Sequence, residues 1–425
     1  MMILLLADFH LLLVSKRFRC RFTTIQGEIN TAQSTNFFGS YAPNILLAHQ
    51  INVSKTMIIA VETTALTQLH DLASRMPNQL NEADKEVLNE IYQESLENLE
   101  NPESLFNYTI AKAMQRHFLA EQSQEHIYLQ RFEIPQIRLF ELLIQQFPLA
   151  NLSQHCTNTL LIDALSQHVQ PVLMDIGMGT GFQVCTIVEG LAKKANSKVQ
   201  HLTIVGIEPF GEALAVATQN IQKLTSTIPF TVALVSKEAF IEQLSLNELR
   251  QLLPQDYDGL YANASFALHH IREQAQRKAV FKTLKALAMN ALVVSEPNSD
   301  HYEPLYTKRF ENCVHHYGIL FQIIDTLSIT TTEKAALKLF FSREIDDVLG
   351  NTEEVRVEKH YATQQWIDLF VATGFELQKR TAQFDYESLN GTFLQKNLSN
   401  RYATFFNNEE ITSLFGPFNP LLLNT

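Results

Sequence analysis

Charge is scarce in this chain of 425 residues: Asp, Glu, Lys and Arg make up 18% of it, against 46% hydrophobic residues. Such a composition excludes a solvated disordered polymer and leaves enough apolar side chain for a large core, in one big domain with appendages or two ordinary ones. Basic residues are the scarcer kind, 33 against 45 acidic ones for a formal net charge of −12, and nowhere do they form a run. Without a basic stripe to neutralise phosphates, nucleic acid is not an expected partner.

Cysteine is equally sparse. Cys20, Cys156, Cys185 and Cys313 stand far apart and form no CxxC pair, so a reducing, cytoplasmic setting is expected. Neither a Cys/His cluster nor an HxH or HxxxH pair with a carboxylate at fixed offset occurs, and no metal site is expected. Long apolar runs are also missing. The leader MMILLLADFHLLLV is broken by Asp8 and His10 and is too short to span a bilayer. It reads as an amphipathic or disordered leader or an over-extended start, since Met57 opens a second apolar segment, and no membrane span is expected.

What is present sorts into three stretches. Residues 1–80 are expected to be a poorly ordered or variable extension, rich in Thr, Ser, Asn, Gln and Gly between about 24 and 56. Residues 81–164 carry apolar side chains at three- and four-residue spacing, as in EVLNEIYQESLENL and SLFNYTIAKAMQRHFL, and predict a helical cap region. From 165 to 425 the period changes. The β-prone runs PVLMDIG, LTIVGIEP, FTVALVS, DGLYANA and ALVVSEP alternate with helical stretches. That alternation predicts an α/β core with a Rossmann-type, doubly wound, mostly parallel sheet. A helical cap insertion is expected at about 301–345, and a strand pair near the end closes the sheet edge.

The first β-run leads straight into Asp175-Ile176-Gly177-Met178-Gly179-Thr180-Gly181-Phe182-Gln183. Three alternating glycines between a strand and a helix allow a tight turn and a close backbone approach to a ligand. The spacing is GxGxG, not the GxGxxG of dinucleotide sites, and Asp175 suits a ligand ammonium better than a pyrophosphate. Glu208 ends the second run, where a carboxylate can accept both hydroxyls of a ribose. S-adenosylmethionine is the cofactor that this combination favours, with Asp175, Gly177, Gly179, Gly181, Gln183 and Glu208 as its contacts. Ser236 and Asn263, at the ends of the third and fourth runs, are further candidates for cofactor contacts.

Several ordered motifs from about Pro135 onward resemble the GRAS family, known from plant regulators and also from bacteria. PVLMDIGMGTGFQ is similar to its VHIID-type strand and turn, YANASFALHHI to its asparagine strand and LHRL-type start, and SEPNSDHYEPLYTKRF to its ExExNHN segment. The block SREIDDVLGNTEEVRVEKHYATQQWIDLFVATGFEL is similar to the family's long GREI…RVERHE…W block, with Trp366 on the characteristic tryptophan. The closing SLFGPFNPLLLNT lacks both tryptophans of the family's last motif. The resemblance implies a class I methyltransferase-like core under a helical cap. Plant members usually replace the glycine turn, so its retention here, with Glu208, implies a version that still binds the cofactor.

Methyl transfer depends mainly on alignment and exclusion of water, with a base needed only for an acceptor that must lose a proton. His301 is the first candidate base, Glu296 its orienting partner or a substrate contact, and His269 a further catalytic candidate. Tyr302, Tyr306, Phe310 and Tyr317 could line an apolar acceptor pocket or simply fill a core. Two functions stand at this point: a transferase that methylates a small apolar or aromatic molecule, and a non-catalytic regulator or scaffold that binds a protein partner or small ligand. A homodimer or a protein partner would use the cap.

Overall fold

Pro171–Ile176 forms β1 and is buried along its whole length, as a strand covered on both faces must be. The computed structural model containing it describes residues 64–75, 80–118, 142–143, 146–377, 386–387, 393–398 and 401–418. On one side β1 pairs in parallel with β2 (His201–Glu208), which pairs with β3 (Thr231–Glu238). On the other it pairs with β4 (Gly259–Ser265), which pairs with β5 (Ala291–Pro297). The register sets Asp175 beside Gly206 of β2 and Asn263 of β4.

The order β3-β2-β1-β4-β5 is that of a doubly wound sheet whose chain reverses direction of growth beside β1. Beyond β5 the sheet turns antiparallel: β10 (Glu409–Phe415) pairs β5 and then β9 (Tyr402–Phe406), followed by β8 (Phe393–Asn397) and β7 (Tyr386–Glu387). Short β11 (Pro417–Phe418) pairs both β5 and β6 (Glu376–Leu377).

Alternation along the strands supplies two cores. Val172 and Met174 face one side, against Phe281 and Leu284 of α8 (Gln274–Ala286) and Trp366 and Phe370 of α11 (Thr363–Ala372). Leu173 faces the other, against Val184 and Ile187 of α5 (Phe182–Lys193), Leu214 of α6 (Gly211–Thr225) and Leu161 and Leu165 of α4 (Pro148–Leu165). The third crossover is interrupted, a 3₁₀ turn at Ile241–Gln243 preceding the short helix α7 (Leu246–Gln251). Ser245 restarts the helix by accepting from Glu248 N–H while the Glu248 carboxylate accepts from Ser245 N–H.

A third core lies within a helical layer built from α1 (Thr64–Ser74), α2 (Glu82–Leu96), α3 (Pro102–Phe118), α9 (Tyr306–Thr326) and α10 (Thr331–Gly350). Two expected boundaries shift here. The extension drawn to residue 80 contains α1, which buries Leu69, Leu72 and Ala73. The insertion drawn to 345 runs to Gly350, because the apolar stripe of α10 continues through Val348 and Leu349. The division at 165 coincides with the end of a helix that serves both layers, α4 placing Leu149 and Leu152 in the cap core and Leu161 and Leu165 in the sheet core. A third stretch of the 81–164 region with helical spacing, IPQIRLFELLIQQF, lies largely outside the described residues. Tyr306, Phe310 and Tyr317 are buried in the cap core and serve packing.

Candidate functional site

The glycine turn after β1 is formed as expected from its spacing, with φ of 74°, 55° and 74° at Gly177, Gly179 and Gly181. What demands the glycines is largely the protein itself. A Cβ on Gly177 would stand 2.6 Å from the Ala267 Cβ, and one on Gly181 3.1 Å from that of Ala217. Gly181 also opens α5 in the left-handed conformation that glycine adopts without strain.

Glu208 is fully buried at the end of β2. One carboxylate oxygen accepts the Gly179 N–H at 2.8 Å and the other the Phe210 N–H at 3.1 Å. Burial raises its pKa to about 7 against the pull of those two bonds. Each oxygen keeps acceptor capacity for a further donor, but Glu208 is fully buried and is not among the residues lining the neighbouring cleft.

Asp175 is buried and accepts from Asn263 Nδ2 at 2.7 Å; the same nitrogen lies 3.2 Å from Gln183 Oε1. Gln183 in turn donates to Thr157 and Asn158 of α4, both at 2.9 Å. This chain of side chains fastens β1, β4, α5 and α4 together. Burial raises Asp175 to about 7, opposed by the Asn263 bond and reinforced by the charge of Glu208. Two placements differ from the sequence expectation. Asn263 is not at a strand end, since β4 continues to Ser265. Ser236 is exposed within β3, whose last residue is Glu238, and it is Ala239 and Phe240 that reach the cleft.

That cleft, of about 520 Å³, opens at the carboxyl ends of β1 and β2. Gly177, Pro209, Phe210, Phe240, Ile241 and Arg272 are among its lining residues. It is the crevice where ligands enter sheets of this topology. On the other side of the glycine turn a smaller cavity of about 200 Å³ lies between the turn and the helical layer, walled by Phe182, Gln183, Leu320 and Phe341 and by a group of histidines and carboxylates.

Behind that wall Glu296 pairs with His269 of the group. The Glu296 carboxylate accepts His269 Nδ1–H at 2.6 Å and the backbone N–H groups of Ala267 and Leu268 at 3.2 and 2.8 Å. Glu296 was expected to orient His301, but the turn after β4 brings His269 to it instead. Burial opposes a charge on His269, yet the charges and hydrogen bonds of Glu296 and Glu358 override it and hold the imidazole pKa at about 10.

His301 is wholly buried, its Nε2 on Ser299 Oγ at 2.9 Å, its ring stacked 4.7 Å from that of His360, and it lines neither cavity. Burial first, then the neighbouring His360, keeps its pKa well below that of a free imidazole. It stands behind His360 and His316, which line the smaller cavity.

Sequence reasoning missed Glu358 and ranked His360, with His315 and His316, below the candidates above; Glu358 and His360 stand two residues apart on the loop before α11. Glu358 Oε2 is 3.4 Å from His269 Nε2 and 3.3 Å from His360 Nε2. An E-x-H step within RVEKHY is the only local signal; His269 comes from a distant part of the chain. Arg277 joins the two loops, donating from Nη2 to the carbonyls of His269, Ile271 and Lys359 at 3.0, 2.7 and 3.0 Å while lying 4.0 Å from the Tyr361 ring centroid.

A doubly wound sheet with a cleft at its carboxyl edge and a helical layer over the adjoining turn defines an α/β protein of the doubly wound class. The GRAS domain family model matches residues 65–404, and the chain belongs to that family. It is 23% identical over 252 residues to the GRAS family protein RAD1 of Medicago truncatula, covering 56% of this chain and 46% of that protein. Against the DELLA protein RGL1 of Arabidopsis thaliana it is 21% identical over 237 residues, covering 54% and 44%. The chain thus spans about half the length of the curated relatives it matches. The crystal structure of SCL7 from Oryza sativa aligns with a TM-score of 0.68 at 15% identity, covering 83% of this chain and 99% of that one, and shares its fold. No helix among the described residues is long and apolar enough to cross a membrane.

Proposed function

We propose that this chain is a non-catalytic GRAS-type regulator or scaffold, which binds a protein partner through its helical layer or a small ligand in the edge cleft. One observation carries the reading: the groups that methyl-transfer chemistry would use are buried, bonded within the protein and absent from the lining of the open cleft. Glu208 holds two backbone N–H groups, Glu296 holds two more and His269, and His301 is buried away from both cavities. Displacing such buried acceptors leaves unpaired donors behind, at about 1–3 kcal/mol each. The names of the relatives, DELLA and RAD1 proteins among them, are in keeping with this choice.

The second reading, an S-adenosylmethionine-dependent transferase acting on a small apolar or aromatic acceptor, draws on the open cleft beside Gly177. Incubating the full chain with methyl-labelled S-adenosylmethionine and a metabolite extract separates the two. The regulator reading expects S-adenosylhomocysteine to form no faster than without protein. Formation that scales with protein concentration would establish the transferase.

A further inference from the structure

We infer that His269, Glu358 and His360 form a binding site for one divalent transition-metal ion of the zinc class, beneath the helical layer. The three residues are buried, and one ligand atom from each can be chosen so that all lie within 4.8 Å of one another. The donor set of two imidazoles and a carboxylate is one that zinc takes in sites keeping a fourth position open.

The spacing, long for hydrogen bonds, also fits a metal. Glu358 Oε2 stands 3.4 Å from His269 Nε2 and 3.3 Å from His360 Nε2. Charge-assisted hydrogen bonds between such groups close to about 2.7–2.9 Å. Donors bound at about 2.0–2.1 Å around a tetrahedral ion are instead separated by about 3.3 Å. Both imidazoles approach the same carboxylate oxygen from different elements, at the separation of neighbouring ligands.

The surroundings are those of a supported site. Glu296 accepts His269 Nδ1–H at 2.6 Å, which leaves Nε2 as the ligand atom and builds the carboxylate–histidine arrangement that steadies metal-bound imidazoles. Asp347 accepts the N–H groups of Val357 and Glu358 at 2.8 and 2.7 Å and fixes the loop that carries the carboxylate. Arg277 holds the carbonyls of His269 and Lys359, so the two halves of the site are tied together from behind. His360 is 1% exposed, and its Nδ1 has no hydrogen-bond partner. The cavity of about 200 Å³ touches all three residues and offers space for water or another ligand at the open position. Local spacing in the sequence shows only the E-x-H step, because His269 joins it only once the turn after β4 and the loop before α11 are packed together.

The test uses the full chain, free of any histidine tag, loaded with Zn²⁺, dialysed, and assayed by elemental mass spectrometry. About one equivalent of zinc is expected to remain in the wild type and to be lost in Glu358→Gln and His360→Gln. Titration of the metal-free wild type with Co²⁺ is expected to give tetrahedral d–d absorption that saturates near one equivalent. Retention of equal zinc by wild type and both variants would overturn the assignment. So would an unchanged Co²⁺ spectrum in the wild type, a readout that stands even where a variant fails to fold.

Discussion

Glu296 on β5 and His269 on the turn after β4 are joined at 2.6 Å with 0% and 6% of their side chains exposed. Two segments that the chain separates by a whole crossover helix are thus held by one buried ion pair. In metal-free protein, Glu296→Gln removes the closer of the two carboxylates that hold the His269 imidazolium, leaving only Glu358, so a loss of about 3 kcal/mol is expected. Urea unfolding measures it; a loss below about 1 kcal/mol would show that the pair does not hold these segments.

Asp175 gives a pH dependence of the opposite kind. Its folded pKa, about 7, lies above the ordinary 3.8 because burial disfavours the anion. The folded state therefore binds more protons than the unfolded chain between those values. Stability contributed by this group is full below about pH 4 and falls as pH rises toward 7. Glu208, also raised to about 7, adds to the same slope. Asp175→Asn keeps an acceptor for Asn263 without the charge. It is expected to stabilise the protein by about 2 kcal/mol at pH 8 and to make little difference at pH 4. Thermal melts at the two pH values check this, and a variant less stable at pH 8 would contradict it.

Gly177→Ala sets a Cβ against Ala267 at a positive φ. The cost expected is about 1–3 kcal/mol with no ligand present. Ala267→Gly removes the clash but not the strain, so the double variant should recover part of that loss, a coupling that a double-mutant cycle reads directly. Simple additivity would mean that the close approach of these two residues is not what requires the glycine.

Arg277 is buried with one nitrogen on three carbonyl oxygens. Lysine is shorter and has no planar guanidinium to lie over Tyr361, so its ammonium cannot take the same position. Arg277→Lys is expected to cost at least about 2 kcal/mol and to raise amide hydrogen exchange in the loops on either side of His269 and His360. Unchanged exchange there would remove its positioning role.

The sheet was legible because each of its five parallel strands is a short apolar run bounded by turn residues, and all five occur within two residues of where the pattern puts them. The glycine turn was legible for a local reason too, since alternating glycines after a strand need positive φ. The roles of side chains were not. Gln183 proved to be a link between α4 and Asn263, and Glu208 a cap for Gly179, because neither bond is visible in spacing along the chain. His301 was singled out from its place after the fifth strand, yet packing against His360 and Tyr317 encloses it. The histidine that meets Glu296 is the one the β4 turn delivers, and only the register of β4 on β5 decides that.

A crystal structure of the chain grown with millimolar S-adenosylhomocysteine tests the central claim most directly. Glu208 should still accept the N–H groups of Gly179 and Phe210, with no adenosyl density in the cleft beside Gly177. An adenosyl group in that cleft with its ribose bonded to the Glu208 carboxylate would contradict the claim that this carboxylate is closed to the cofactor.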